Sequence, residues 1–79
     1  MSSPIHWQEF IQTDPDVVMG KPVFKGTRIT VEFVLERLGQ GASETDLLEE
    51  VIGLKPEHLR AAHAYAAAVL RRDELVYSA

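Results

Sequence analysis

Between Gly20 and Leu38 the sequence reads GKPVFKGTRITVEFVLERL, and its hydrophobic period changes part-way. Up to Ile29 the pattern alternates: Val23 and Ile29 stand among Lys21, Lys25, Thr27 and Arg28, punctuated by Gly20 and Gly26. Alternation interrupted by glycine predicts a short strand pair joined by turns. From Thr30 the period lengthens. Val31, Val34, Leu35 and Leu38 recur at i, i+3, i+4 and i+7, the spacing of one helical face. Thr30 is placed to cap that helix, Glu32 suits its positive end, and Gly39 and Gly41 stop it. A chain that changes period here must turn a basic hairpin directly into an amphipathic helix.

The remaining elements follow from caps and breakers. Asp14-Pro15-Asp16 reads as a turn. Val17, Val18 and Met19 read as a first strand and Pro22 to Ile29 as the second, with Pro22 at an edge or strand start because it lacks an N–H. Trp7 and Phe10 are expected to pack on the hairpin or on a partner. A second helix should start at Ser43, where Ser43 and Asp46 approximate a capping box. Leu47, Leu48 and Val51 form its buried side, and Glu44, Glu49 and Glu50 its solvated side. Ile52-Gly53-Leu54-Lys55 has the length of a helix-turn-helix turn, and Pro56 suits the first position of a third helix, about 56–72. On that helix Leu59, Ala62, His63, Ala66 and Leu70 form the expected core stripe. A second stripe, His58, Ala61, Tyr65, Ala68 and Arg72, is read as facing a second chain; simple alanine helix propensity is the plainer reading.

Seventy-nine residues make one domain, expected as strands over 1–29, three helices over 30–72 and a tail over 73–79. The expected class is mostly α: a short N-terminal β-hairpin followed by a three-helix, helix-turn-helix-like bundle, winged or homeodomain-like. A chain this short buries only roughly 60% of its unfolded surface, so its core is marginal. A homodimer paired through the hairpins or N-terminal strands would cover exposed strand edges. The absence of cysteine excludes disulfides and thiolate metal sites and fits a reducing cytoplasm. No apolar run approaches the ~20 residues of a membrane span, and the N-terminus does not read as a signal peptide.

The segment around Gly20 also carries a family resemblance. Asp14, Pro15, Gly20, Lys21, Pro22, Gly26, Thr27, Arg28, Ile29 and Val31, with Leu54, Pro56, Glu57, His58, Leu59, Ala61 and Ala62, resemble the signature of domain-of-unknown-function family 433, whose members look like VapB-type antitoxins. The resemblance covers roughly residues 10 to 72. It implies a small, often dimeric domain with a helix-turn-helix, paired with a PIN-like ribonuclease toxin. The chain departs from the family pattern near Val51 and Ile52, which lack an expected aromatic-proline pair. It departs again at Lys55, where a small hydroxyl residue is expected to cap the third helix.

Charge bears on nucleic-acid binding. The net charge is −4, with a balance of −5 over 30–52, yet 20–29 holds Lys21, Lys25 and Arg28 and no acid. These three, with Lys55, His58 and Arg60, are the candidate DNA-binding residues. Ordinary solubility charge is the competing reading, favoured by the acids of the second helix; the resemblance favours DNA. Arg28 has a rival role in binding a carboxylate of the chain itself or of a partner. The candidate partner-binding residues are Ala61, Tyr65, Ala68, Leu75, Val76 and Tyr77. The last three are read as an extended segment suited to a partner's sheet edge or pockets, or else as folding back on the chain's own helices.

No enzyme, metal site or cofactor is expected. His58 and His63 are five apart and diverge on a helix, and no third ligand accompanies them. No serine has a histidine at a recognisable spacing, and Gly20 to Gly26 lacks a phosphate-loop ending. Two readings remain: an antitoxin-like protein that binds a toxin and operator DNA, and a dimeric protein-interaction module of the same shape that binds no DNA. An unknown hydrolase is a distant third.

Overall fold

The computed structural model describes residues 4–77, with side chains described over 4–72. A single 3-10 turn, Trp7–Glu9, leads into strand β1 (Ile11–Gln12), which pairs antiparallel with β2 (Val23–Phe24). Helices α1 (Val31–Gly39), α2 (Glu44–Glu50) and α3 (Pro56–Tyr77) follow. This is the expected mostly helical architecture with a short N-terminal hairpin.

The first strand is not where the apolar run suggested. Ile11 pairs with Phe24 and Gln12 with Val23, while Val18–Gly20 forms a three-residue 3-10 turn. Asp14 starts the reversal: its carboxylate accepts from the Asp16 N–H at 2.9 Å and its carbonyl from the Val17 N–H at 2.9 Å. The chain must turn back between Gln12 and Val23, and residues 17–19 are consumed in doing so. Val18 and Met19 take φ of 45° and 54°. For a β-branched residue that conformation is costly, of order 1–3 kcal/mol.

Pro22 to Ile29 is not one strand either. After Phe24 the chain folds through a tight turn in which Gly26 takes φ of 78°, a value glycine adopts without strain. Thr27 fastens the turn. Its hydroxyl donates to the Phe24 carbonyl at 2.8 Å and accepts from the Ile29 N–H at 3.0 Å. Val23 then bridges Thr30 on the side away from β1. Helix α1 starts immediately, with the Thr30 hydroxyl accepting from the Phe33 N–H at 3.0 Å. Helix α2 has the full capping box: Asp46 N–H donates to Ser43 Oγ, and Ser43 N–H to an Asp46 carboxylate oxygen. Those bonds hold the Asp46 carboxyl below its ordinary pKa.

Phe24, Val23, Val31, Val34, Leu47 and Leu59 are fully buried, joined by Ile11, Leu54, Ala61 and Ala62. Helix α3 lies against α1, α2 and the N-terminal turn at once. Its core face is therefore centred between the two stripes read from the sequence. Ala61 belongs to the core, whereas His63 is exposed and Leu70 is 66% exposed. The helix also does not stop near Arg72 but continues to Tyr77, because Glu74 and Leu75 are strong helix formers and neither glycine nor proline intervenes.

Phe24→Ala should lose about 3–5 kcal/mol of stability, a large share of the roughly 5–15 kcal/mol a domain has. Ile52→Ala, at a side chain that is 96% exposed, should change stability by no more than about 0.5 kcal/mol. Urea unfolding of the two variants beside the parent chain measures both. Similar midpoints for the two variants would contradict this placement of the core.

Candidate functional site

Two surfaces are candidates: the end of the molecule around the helix-turn-helix, and the side formed by α1 and α3. At the first, Gly53 takes φ of 92° in the turn between α2 and α3. Lys55 occupies the capping position of α3 without a hydroxyl, and His58 supplies the missing bond. The Lys55 N–H donates to His58 Nδ1 at 3.0 Å, and the His58 N–H to the Lys55 carbonyl at 2.9 Å. This is the return half of a capping box, made by histidine in place of glutamate or glutamine.

To make that bond His58 turns inward. Its ring centroid lies 4.8 Å from that of Phe24 and 6.2 Å, edge-on, from that of Phe10. It is half-buried, and His58, not His63, is the histidine at the core. Burial, then the charge of Lys55, lower its pKa below the ordinary histidine value, against the opposing pull of Glu57. An acceptor at Nδ1 must be unprotonated, so the bond and the neutral ring require each other. His58 thus caps α3 and packs on Phe24 with the same ring.

The Phe24–His58 contact sets the hairpin turn beside the first turn of α3. Lys25, Arg28, Lys55 and Arg60 are all exposed. Lys21 is also exposed and pairs with Glu32 of α1 at 3.0 Å. Arg28 takes part in neither of the two ion pairs among the described residues, so its rival role has no carboxylate within them. Acids stand close by in the sequence of the same elements. Glu44, Glu49 and Glu57 are exposed, and Glu50 is held by Arg37 at 3.1 Å.

The proposed partner stripe on α3 is largely covered by the chain itself. Ala61 is fully buried, and the half-buried Tyr65 meets Trp7 edge-on with centroids 4.9 Å apart. The sequence left Trp7 and Phe10 between hairpin and partner; Trp7 packs on α3, and Phe10 packs with the core beside His58. Ala68 is half-buried. The side chains of Leu75, Val76 and Tyr77 lie outside the described residues.

What the sequence reading missed is a groove of about 510 Å³ between α1 and α3. Pro22, Val31, Leu35, Tyr65, Val69 and Leu70 line it, together with Glu32 and Glu36. Leu35 and Leu70 stood in the apolar stripes of their helices, so the signal was present. It was assigned to the interior, because a stripe does not reveal how far along a helix its covering neighbour extends. No helix among the described residues is long and apolar enough to cross a membrane.

Comparison with known proteins adds three similarities. The pattern of the family described as "Protein of unknown function (DUF433)" matches residues 11–66. A protein of Sinorhizobium fredii (strain NBRC 101917 / NGR234), described as "Uncharacterized protein y4eO", is 36% identical over 61 residues. That match covers 77% of this chain but 28% of the relative, which is therefore much longer. The crystal structure of a DUF433 member protein from Anabaena variabilis (ATCC 29413) superposes with a TM-score of 0.68 at 29% identity, covering 90% of this chain and 71% of that one.

The lowered pKa of His58 makes a signed prediction. Above about pH 7 the ring is neutral whether folded or unfolded, and its full contribution is present. As pH falls through the unfolded value near 6.5 the unfolded chain binds the proton first, so stability declines until the pH is below the folded pKa. His58→Gln keeps an acceptor at the third helical position but does not titrate. Thermal unfolding between pH 5 and 8 should therefore show a flatter profile for that variant; an unchanged slope would assign the pH dependence elsewhere.

Proposed function

The chain belongs to the family described as protein of unknown function (DUF433), and from that premise we propose that it is an antitoxin-like, protein-binding component of a type II toxin-antitoxin pair. It acts in the cytoplasm as a homodimer, binds a cognate PIN-like ribonuclease toxin, and works by binding without catalysis. The observation that carries the reading is the length of α3. Its last fully buried residue among those described is Ala62, yet the helix runs to Tyr77. Val69, Leu70, Arg71 and Arg72 are exposed, and the sequence continues with Leu75, Val76 and Tyr77. A helix that outruns its own core with apolar residues still on it supplies what helix-in-groove recognition needs.

Operator DNA is a second action supported by one feature, the exposed Lys55 and Arg60 at the start of the second helix of a helix-turn-helix, beside Lys25 and Arg28. The inward ring of His58 and the exposed Glu44, Glu49 and Glu57 weigh against it. If DNA is not bound, the same surfaces describe a dimeric protein-interaction module.

The neighbouring reading frame, co-expressed with this chain, tests the main reading. The two proteins should co-purify, and deletion of residues 73–79 should abolish co-purification while moving the melting temperature by only a few degrees. Loss of many degrees, or unchanged co-purification, would move the toxin contact off the end of α3. For DNA, the full chain should retard a fragment of its own promoter at low salt. Arg60→Ala should weaken that binding by roughly 1–3 kcal/mol if Arg60 reads a base, or reduce the salt slope by about one if it meets a phosphate. No retardation by the parent chain would leave the interaction-module reading.

A further inference from the structure

We propose that the cleft formed by the N-terminal turn, β1 and α3 around Tyr65 and Arg72 binds a small carboxylic acid with a flat apolar body. The cleft measures about 380 Å³, within the ~300–1,000 Å³ of small-ligand sites. Among the described residues it shares only Tyr65 with the groove beside α1. It requires neither a toxin nor a second copy of the chain.

Tyr65 and Arg72 are seven residues apart and so share a face of α3, and Ala68 between them contributes only a methyl group. The Trp7 ring meets that of Tyr65 edge-on with centroids 4.9 Å apart. Both residues are only half-buried, which leaves ring surface for a third flat group, held by the same edge-to-face or offset contacts. Ile11, two glutamines, a threonine and Arg72 complete the lining, so its one charged group among the described residues is a cation. Arg72 is exposed and takes part in neither of the two ion pairs among those residues. Its own helix offers it no carboxylate, because the positions three and four residues away hold Ala68, Val69, Leu75 and Val76. A guanidinium presents a planar fork that matches the two oxygens of a carboxylate. Its single positive charge balances one negative charge, which favours a carboxylate over a doubly charged phosphate ester. The same chemistry occurs where a glutamate stands beside an aromatic residue in a partner peptide. The size of the cleft favours the free acid, as does a β1 of two residues, too short to hold an extended segment.

Trp7 is the chain's one tryptophan, so its fluorescence reports on the cleft directly. The full chain is titrated with phenylacetate, with its neutral isostere phenylacetamide, and with acetate. Phenylacetate should change the emission saturably, with a Kd on the order of 1 mM, which a ligand of about ten heavy atoms can reach. Phenylacetamide and acetate should each bind at least about 10-fold more weakly, since one lacks the charge and the other the ring. Arg72→Gln alters an exposed side chain, so the variant should keep its helical circular dichroism while phenylacetate binding falls at least about 10-fold. Arg71→Gln, the same change one residue earlier, should move that affinity by less than about two-fold. No saturable response to phenylacetate overturns the proposal. Equal affinity for phenylacetamide, or full affinity in Arg72→Gln, does so as well. An acetylated, amidated pentapeptide with phenylalanine beside glutamate is the last probe. If it binds at least about 10-fold tighter than phenylacetate, the cleft belongs to an acidic segment of a protein partner and the small-acid reading falls.

Discussion

Phe24 joins the two halves of this small domain. Its backbone builds the hairpin: its N–H donates to the Ile29 carbonyl, and its carbonyl accepts from both the N–H and the hydroxyl of Thr27. Its ring, fully buried, sits against His58 at the start of α3. One residue thereby ties the turn that launches α1 to the turn that launches α3. With ten buried apolar residues among those described, four of them from 23–34, the core has little redundancy to compensate for a failed contact there.

The helix starts show how local chemistry relieves a thin core. Thr30, Ser43 with Asp46, and His58 each satisfy amides that a helix leaves without partners, at about 1 kcal/mol apiece for ordinary caps. His58 differs from the others because it caps with a ring that is also packed. The third helix is thus fixed by a group that must stay neutral, whereas the first two are fixed by groups indifferent to pH near neutrality. The helix-turn-helix is joined to the rest by similar economies, including the Arg37–Glu50 pair between α1 and α2, which is exposed and so contributes less than about 1 kcal/mol.

The fold also leaves apolar surface uncovered in one direction. Helix α3 is gripped along its first half by α1, α2 and the N-terminal turn, and further along it Val69 and Leu70 line the groove beside α1. No other segment among the described residues lies over Val69 and Leu70. Charge is uneven along the chain as well, with acids on α1 and α2 and arginines at 71 and 72. The exposed acids of α1 and α2 would repel the phosphates of a nucleic acid laid over them.

The sequence by itself determined the helices, because their signals are local. Periodicity marked α1, the Ser43–Asp46 box marked α2, Pro56 marked the first turn of α3, and the Gly20–Val31 motif with 54–62 was enough to suggest the family. It misplaced the first strand, since a two-residue strand such as Ile11–Gln12 has no period to detect and Val17-Val18-Met19 looks more strand-like than it is. Only the tertiary structure decided which side of α3 is buried. Alanine offers no strong preference among faces, so the helix takes the orientation that α1 and Trp7 allow together. That rotation sent Ala61 and His58 inward and His63 and Leu70 outward, exchanging a candidate ligand face for core and a candidate core face for groove. Burial depends on where neighbouring elements end, and no residue's own sequence neighbourhood records that.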